Sequence, residues 1–167
     1  PGATRISGVQ EANYSWIAFL DSDDLWEKNK LEEIIKCIKT NSTSNLIFHD
    51  EIVLEKKLKK ELIHGHFFDK KLPPFMAIYR ENFLSPSATV FKKELFQKIG
   101  GFNTSLLSAQ DYDLWIKMSL QPNLKIHYLP QFLATCKLRE GNTTSNIKRR
   151  INCMLQIHKN YKKEVFQ

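Results

Sequence analysis

The chain has 167 residues, of which 42% are hydrophobic and 26% are charged, and this composition is typical of one globular domain with its own core. No apolar run approaches the ~18 residues of a membrane-spanning helix, and the first residues carry no signal-peptide pattern. The net charge of +7 suits an anionic partner, but no nucleic-acid-binding motif accompanies the lysines, so we expect solvated basic faces and no nucleic-acid partner.

The N-terminal residues predict a helix over 1–13, which leads into the first strand. A complete α/β domain usually begins with a strand, so we expect that this chain starts partway through its fold. The cysteines Cys37, Cys136 and Cys153 have no metal-ligand spacing and lie in apolar segments. We expect them to be buried free thiols in a reducing compartment.

The most informative stretch is an apolar strand over 16–20 that ends in the carboxylates Asp21, Asp23 and Asp24. In open α/β sheets, ligands bind beyond the carboxyl ends of the strands. Two such charges about 4 Å apart repel by roughly 4 kcal/mol at a surface-like dielectric, which solvent or a bound cation can offset. Two interpretations therefore stand. One is a solvated turn in which Asp24 lies near a helix N-cap, and the other is a site for Mg²⁺ or Mn²⁺, which prefer carboxylate oxygen.

Apolar spacing predicts a helix over 27–40 after the acidic stretch. Its buried face is expected to comprise Leu31, Ile34, Ile35 and Ile38. A strand is predicted over 45–54, and the charged residues 55–72 predict a hairpin or a loop. His64 and His66 lie in that segment with no third ligand nearby, so we expect exposed histidines rather than a metal site.

The second half of the chain predicts helices over 75–83, 92–99 and 109–120, and strands over 88–91, 125–128 and 132–138. Asp111 and Asp113 occupy the first turn of helix 109–120, where the helix dipole favours negative charge without any catalysis. Residues 139–145 form a polar loop, and a helix with a basic face follows it. The packed stripe of that last helix is expected to comprise Ile147, Ile151, Leu155, His158 and Tyr161.

Four segments together resemble family 2 glycosyltransferases of the GT-A fold. They are residues 3–9, a family helix; 16–26, with the DxD motif; 87–102, a strand, helix and Gly-Gly-Phe turn; and 110–115, similar to the segment of the catalytic base. The resemblance implies an α/β fold with a three-layer α/β/α mixed sheet. It also implies a partial GT-A domain over 1–145, lacking the N-terminal portion that binds the nucleobase, and a basic amphipathic helix over 146–167.

The resemblance implies an inverting transfer of a sugar from a nucleotide-diphospho-sugar donor to a hydroxyl of a carbohydrate or lipid-linked acceptor. Asp21 and Asp23 would then hold Mg²⁺ or Mn²⁺ on the donor diphosphate, with Asp24 as adjacent support. Asp111 would be the general base, since the acceptor hydroxyl must lose its proton as it attacks. A metal on the phosphates suits this chemistry because the nucleoside diphosphate leaves with developing negative charge.

The resemblance also makes Arg5 and Arg139 candidates for contact with the donor phosphates, the second from a loop that closes over the donor. Three positions depart from the family: Gln110 replaces a Glu beside the base, Ile6 replaces an Asn, and Gly141 stands where a His is frequent. Without the nucleobase-binding portion, we expect this polypeptide alone to bind donor weakly or not at all. Family habit and the basic last helix predict a cytoplasmic enzyme that works at the inner face of a membrane on surface polysaccharide or glycolipid.

Two other interpretations remain open. A haloacid-dehalogenase-type phosphatase also uses an acidic pair after a strand, although Leu25 stands where that motif has Thr or Val. A catalytically incompetent GT-A-like binding module is favoured by Gln110 and by the absent N-terminal portion. The sugar, the nucleobase, the acceptor and the oligomeric state stay undetermined.

Overall fold

A computed structural model of the chain describes residues 2–138 and 147–166. The helices are α1 (Gly2–Glu11), α2 (Lys30–Thr40), α3 (Pro74–Arg80), α4 (Lys93–Lys98), α5 (Gln110–Ser119) and α6 (Ile147–Tyr161). The strands are β1 (Trp16–Ala18), β2 (Leu25–Trp26), β3 (Leu46–Glu55), β4 (Leu58–Leu62), β5 (Thr89–Lys92) and β6 (Ile126–Leu138). Short 3₁₀-helices cover His64–Phe67, Pro86–Ala88 and Lys162–Phe166. The predicted alternation of helices and strands is thus confirmed.

The strands of the described residues form one mixed sheet with β3 near its middle. The order is β1-β5-β3-β6-β2, and β4 pairs with β3 outside this path. β3 and β6 run parallel along their whole length, whereas the other pairs are antiparallel. The pairing of β3 with β6 shifts its register on both sides of Asp50, which marks a β-bulge.

Helices cover both faces of this sheet, as the alternation of side chains along β3 demonstrates. Leu46 and Phe48 belong to a large core that also takes in residues of α1 and of α3 to α6. Ile47, which points to the opposite face, packs with Ile34 and Cys37 of α2 in a smaller core. The prediction of a three-layer α/β/α mixed sheet is therefore confirmed.

The face that α2 buries differs from the predicted one. Leu31 and Ile35 are 55% and 52% exposed, while Ile34 and Cys37 are buried together with Lys30. The helix begins at Lys30 with Asn29 as its N-cap, so the interpretation of Asp24 as a residue near the N-cap was wrong. The reason is that the Asp24 carboxylate is already bonded to Ser87 on another element.

The predicted stripe of α6 is also only partly correct. Ile147, Ile151 and Leu155 are at least half exposed, and the buried residues are Cys153 and Ile157. His158 and Tyr161 do face the core, because the His158 ring lies 4.6 Å from the Tyr79 ring between centroids and the Tyr161 hydroxyl donates to Asp113. Two apolar stripes exist on this helix, and packing on α3 and α5 selects the one that contains Ile157.

Residues 126–138 form one strand, β6, where the sequence predicted two. The break expected before residue 132 falls where the ladder slips: His49 pairs with Leu129 and Asp50 already pairs with Phe132. Cys37 and Cys153 are buried free thiols, as predicted, and Cys136 is half-buried.

Candidate functional site

The acidic loop and the start of α5 face the same cavity, which has a volume of about 560 Å³. Arg5, Asp21, Asp24 and Asp111 all line it. They come from α1, from the loop between β1 and β2, and from the first turn of α5. The structure thus brings together most of the predicted site residues, while their roles stay predictions.

Arg5 places a positive charge directly against the acidic loop. Its guanidinium forms an ion pair with the Asp21 carboxylate. It also lies 5.7 Å from the ring centroids of Phe19 and Phe102, so two aromatic rings hold it in place. This arrangement leaves a positively charged, partly exposed group at the wall of the cavity.

The conformation of the acidic loop depends on Ser87, which is fully buried. Its hydroxyl accepts the backbone N–H of Asp21 at 3.1 Å and donates to Asp24 Oδ2 at 2.6 Å. The second oxygen of Asp24 accepts the backbone N–H of Lys137 at 3.2 Å. Burial raises the pKa of Asp24, and both of these hydrogen bonds oppose that rise. Asp24 therefore anchors the loop to its neighbouring elements.

Asp23 is the least constrained member of the acidic loop. It is half-buried and forms no hydrogen bond or ion pair within residues 2–138 and 147–166. In the part of the chain that the structure describes, no three metal-ligating side chains cluster. Carboxylate oxygens from Asp21 and Asp23 nevertheless fit Mg²⁺, which typically uses one or two carboxylates and completes its shell with water and phosphate. Arg139, the other predicted phosphate contact, lies outside the described residues.

Asp111, the second residue of α5, lines the same cavity as the acidic loop. The helix begins abruptly after Ala109, whose backbone is left-handed with φ of 56°. Burial raises the pKa of Asp111, while the backbone N–H groups of Asp111 and Tyr112 and the charge of Arg5 oppose the rise. The Asp21 carboxylate adds to the rise, so both members of the Arg5–Asp21 pair act on Asp111. A raised carboxyl pKa moves this group toward the range of a general base.

The other polar residues of this turn have structural roles. The Asp113 carboxylate is 1% exposed, and it lies 3.0 Å both from Lys117 Nζ and from the Tyr161 hydroxyl. The Gln110 amide donates to the Leu106 carbonyl at 2.6 Å. Asp111 and Asp113 are the same residue type in the same helical turn, so residue type does not tell which one faces the cavity. The two differ because one side of α5 packs against the core.

Sequence reasoning missed a second polar cluster at the cavity wall. Glu51 and His64 are both buried there, with Nε2 of the histidine 2.8 Å from Oε2 of the glutamate. The prediction that His64 is exposed was wrong, because the hairpin of β3 and β4 returns the chain to Glu51. A signal did exist: His49, Asp50 and Glu51 are three titratable residues inside an otherwise apolar strand.

Lys30 contacts two residues that pack around the acidic loop, Ser87 and Trp26. It is fully buried, donates to the Ser87 carbonyl, and lies 4.3 Å from the ring centroid of Trp26. Burial lowers the pKa of Lys30 to about 7, although the charges of Glu51 and Asp24 oppose the shift. The acidic loop is therefore supported by a buried lysine whose charge changes with pH near neutrality.

This mixed sheet, with an acidic loop facing a carboxylate at the start of a helix, defines a GT-A-type α/β fold. The family model for glycosyl transferase family 2 matches residues 1–100, and the chain belongs to this family. Membership of this family excludes the phosphatase interpretation. An uncharacterized glycosyltransferase of Haemophilus influenzae is 28% identical, over 80% of this chain and 45% of the relative.

Two further similarities come from proteins with more specific names. The Escherichia coli UDP-Glc:alpha-D-GlcNAc-diphosphoundecaprenol beta-1,3-glucosyltransferase WfgD is 24% identical, over 85% of this chain and 53% of WfgD. A crystal structure of S. aureus TarS in complex with UDP-GlcNAc superimposes with a TM-score of 0.64 at 21% identity, covering 87% of this chain and 41% of that one. The chain spans 45% of the Haemophilus influenzae relative and 53% of WfgD, but only 19% of an uncharacterized glycosyltransferase of Rickettsia felis.

Proposed function

We propose that the protein transfers a sugar, with inversion, from a nucleotide-diphospho-sugar to a hydroxyl of a carbohydrate or lipid-linked acceptor. The observation that carries this proposal is the single cavity lined by the Arg5–Asp21 pair and by Asp111. One cavity thus offers a positive charge for phosphate and a proton acceptor. The names of WfgD and TarS support a UDP-sugar as the donor.

The donor diphosphate is assigned to the Arg5 side of the cavity. A guanidinium held between two aromatic rings is already ordered, so little side-chain freedom is lost when it binds a phosphate. Asp21 and Asp23 would hold Mg²⁺ or Mn²⁺ beside it. When bound, the cation supplies positive charge that stabilises the nucleoside diphosphate as it leaves. Arg139 is retained as a second candidate for phosphate contact.

Asp111 is assigned as the general base. The acceptor hydroxyl attacks the anomeric carbon of the donor sugar from the side opposite the diphosphate, and its proton passes to the Asp111 carboxylate. The bond from the anomeric carbon to the diphosphate oxygen breaks in the same step. The raised pKa of Asp111 suits this role, because the carboxylate then takes a proton more readily near neutral pH.

We assign the reaction to the cytoplasmic face of a membrane, where a lipid-linked acceptor would be met. None of the helices in residues 2–138 and 147–166 has the length and apolar content to cross a bilayer. Support for peripheral contact comes from α6, where the exposed Ile147, Ile151 and Leu155 accompany Lys148 and Arg149 on one helix.

The test is isothermal titration of the complete gene product with UDP-glucose and UDP-GlcNAc in the presence of Mn²⁺. We expect binding that Asp23→Ala weakens by about tenfold or more, because a metal ligand is lost. Asp69→Ala changes a half-buried aspartate that follows the 3₁₀-helix His64–Phe67 and does not line the cavity, so this matched control should leave binding unchanged. Wild-type affinity in Asp23→Ala would refute the metal assignment. Donor binding without any release of UDP when carbohydrate and lipid-linked acceptors are added would favour the non-catalytic module.

A further inference from the structure

A buried pair of a carboxylate and an imidazole at the cavity wall has no part in the steps described above. Glu51 and His64 are 2% and 5% exposed, yet both line the cavity that contains Asp21 and Asp111. Glu51 Oε2 lies 2.8 Å from His64 Nε2, and Glu51 Oε1 accepts the Ser85 hydroxyl at 3.1 Å. His64 and Ser85 offset the cost of burying this carboxylate, but apolar side chains of similar volume often stabilise a protein as well as a buried pair does, so stability alone does not account for it.

The histidine of this pair retains an unused hydrogen-bonding group. Its Nε2 is engaged with Glu51, whereas Nδ1 makes no hydrogen bond within the described residues. This nitrogen is not among the described side-chain atoms that are fully buried without a hydrogen-bond partner, so it keeps some accessible surface. Since His64 lines the cavity, a ligand in the cavity is the natural partner for this nitrogen.

The surrounding backbone holds the pair rigidly. The register of β3 against β6 shifts on both sides of Asp50, where residues 130, 131 and 133 of β6 have no partner in β3. Asp50 accepts the Gly65 backbone N–H at 3.3 Å and the Tyr128 hydroxyl at 2.6 Å. A Cβ on Gly65 would lie 2.1 Å from the Tyr128 ring, so this close packing is possible only with glycine beside His64.

The chemistry of the wall favours a neutral polyhydroxylated ligand. A carboxylate, an imidazole and a hydroxyl offer acceptors and a donor for hydroxyl groups, while a carboxylate would repel a phosphate. Apolar side chains beside the pair suit the CH face of a sugar ring. They are Val53, Leu62, Phe83, Leu84 and Pro86.

The pair is joined to the part of the cavity assigned to the diphosphate. Ser85, which donates to Glu51, is two residues before Ser87, which holds the backbone of Asp21 and the carboxylate of Asp24. In a nucleotide-sugar the hexose directly follows the diphosphate. A ligand whose phosphates contact Arg5 therefore brings its hexose next to this wall.

We propose that Glu51 and His64 bind hydroxyl groups of the sugar that is transferred, and so determine how strongly the enzyme selects a glycosylated nucleotide over the nucleotide alone. This inference rests on the proposed function, because it assigns the sugar end of the same donor. It predicts that the pair contributes to the affinity for a UDP-sugar and contributes nothing to the affinity for UDP.

The experiment is titration of the complete gene product with UDP, UDP-glucose and UDP-GlcNAc, each with Mn²⁺. Glu51→Gln and His64→Gln should weaken binding of the preferred UDP-sugar by about tenfold to a hundredfold, as expected for hydrogen bonds to charged groups. Their affinity for UDP should stay within about twofold of wild type. The controls His66→Gln and Glu55→Gln change exposed residues of the same hairpin and should alter neither affinity.

Each other outcome has a definite meaning. Unchanged UDP-sugar affinity in both variants, or an equal loss for UDP and UDP-sugar, overturns the proposal. If the wild type binds neither UDP nor a UDP-sugar, the proposed function itself fails. If Glu51→Gln and His64→Gln do not fold, Ser85→Ala decides. It removes one hydrogen bond to Glu51, so it must weaken UDP-sugar binding by a few-fold at constant UDP affinity, and no change in that variant overturns the proposal.

Discussion

Replacement of Ser87 by Ala tests how the acidic loop is held. The change removes the acceptor for the Asp21 backbone N–H and the donor to the Asp24 carboxylate. A neutral hydrogen bond contributes about 1 kcal/mol and one to a charged group about 1.5–3 kcal/mol, so Ser87→Ala should lower the free energy of unfolding by about 2–4 kcal/mol. Urea denaturation followed by tryptophan fluorescence measures this change as a lower midpoint at constant m-value.

The pH dependence of this loss follows from Asp24. Its pKa is raised by burial, so the folded state holds a proton more tightly than the unfolded state and stability falls as the pH rises through that range. The Ser87 hydroxyl opposes this rise, and without it the pKa rises further. Ser87→Ala should therefore cost more near pH 7 than near pH 4.

The control for this prediction is Ser105→Ala. The Ser105 hydroxyl bonds Asn103 at an exposed site, so its loss should cost less than about 0.5 kcal/mol. If Ser87→Ala costs no more than Ser105→Ala, or if its cost does not change between pH 4 and pH 7, the account of the loop is refuted.

Two further predictions concern Lys30 and the adjacent glycines Gly100 and Gly101. Burial lowers the pKa of Lys30 to about 7, so the unfolded chain binds more protons than the folded chain at pH 7–10. Lys30 therefore makes the free energy of unfolding rise by up to about 1.4 kcal/mol per pH unit in this range. Lys30→Met should remove that slope from urea denaturation midpoints, and an unchanged slope would contradict the burial of this amine. Gly101→Ala should destabilise the protein more than Gly100→Ala. Both glycines have φ above 70°, so both substitutions strain the backbone. A Cβ on Gly101 would also lie 2.8 Å from the Phe96 ring, whereas one on Gly100 meets open space. Equal midpoints for the two variants would contradict this packing.

The sequence predicted the acidic site because its signals are local. An apolar strand that ends in carboxylates and a helix that begins with Asp111 can both be recognised within about ten residues. Their presence in one cavity follows from the fold class that the four family-like segments imply. The types of these elements were therefore predictable, and so was the meeting of the acidic loop and Asp111 in one cavity.

The faces of α2 and α6 could not be predicted for a physical reason. Each helix carries more than one apolar stripe, and periodicity does not tell which stripe has a partner. Leu31 and Ile35 are as apolar as Ile34, but Ile34 packs on Ile47 and Val90 across the sheet. The choice is made by tertiary contacts that a local pattern does not contain.

The pair of Glu51 and His64 was missed because it depends on register. The two residues are 13 positions apart, and they meet because the hairpin pairs Glu51 with Leu62, which brings His64 back beside Glu51. A shift of one residue would turn the Glu51 side chain to the other face of the sheet. No signal in the sequence specifies that register, although the density of titratable residues in β3 indicates that the strand does more than fill the core.

The most direct test of the central claim is the turnover of Asp111→Asn in the complete gene product, with Mn²⁺, a nucleotide-sugar and an acceptor on which the wild type is active. We predict that kcat falls by about 10²–10⁴-fold, as expected for loss of a general base, while donor affinity stays within about twofold. Asp69→Asn is the matched control. A kcat for Asp111→Asn close to that of the wild type would contradict the assignment of Asp111 as the proton acceptor opposite the acidic loop.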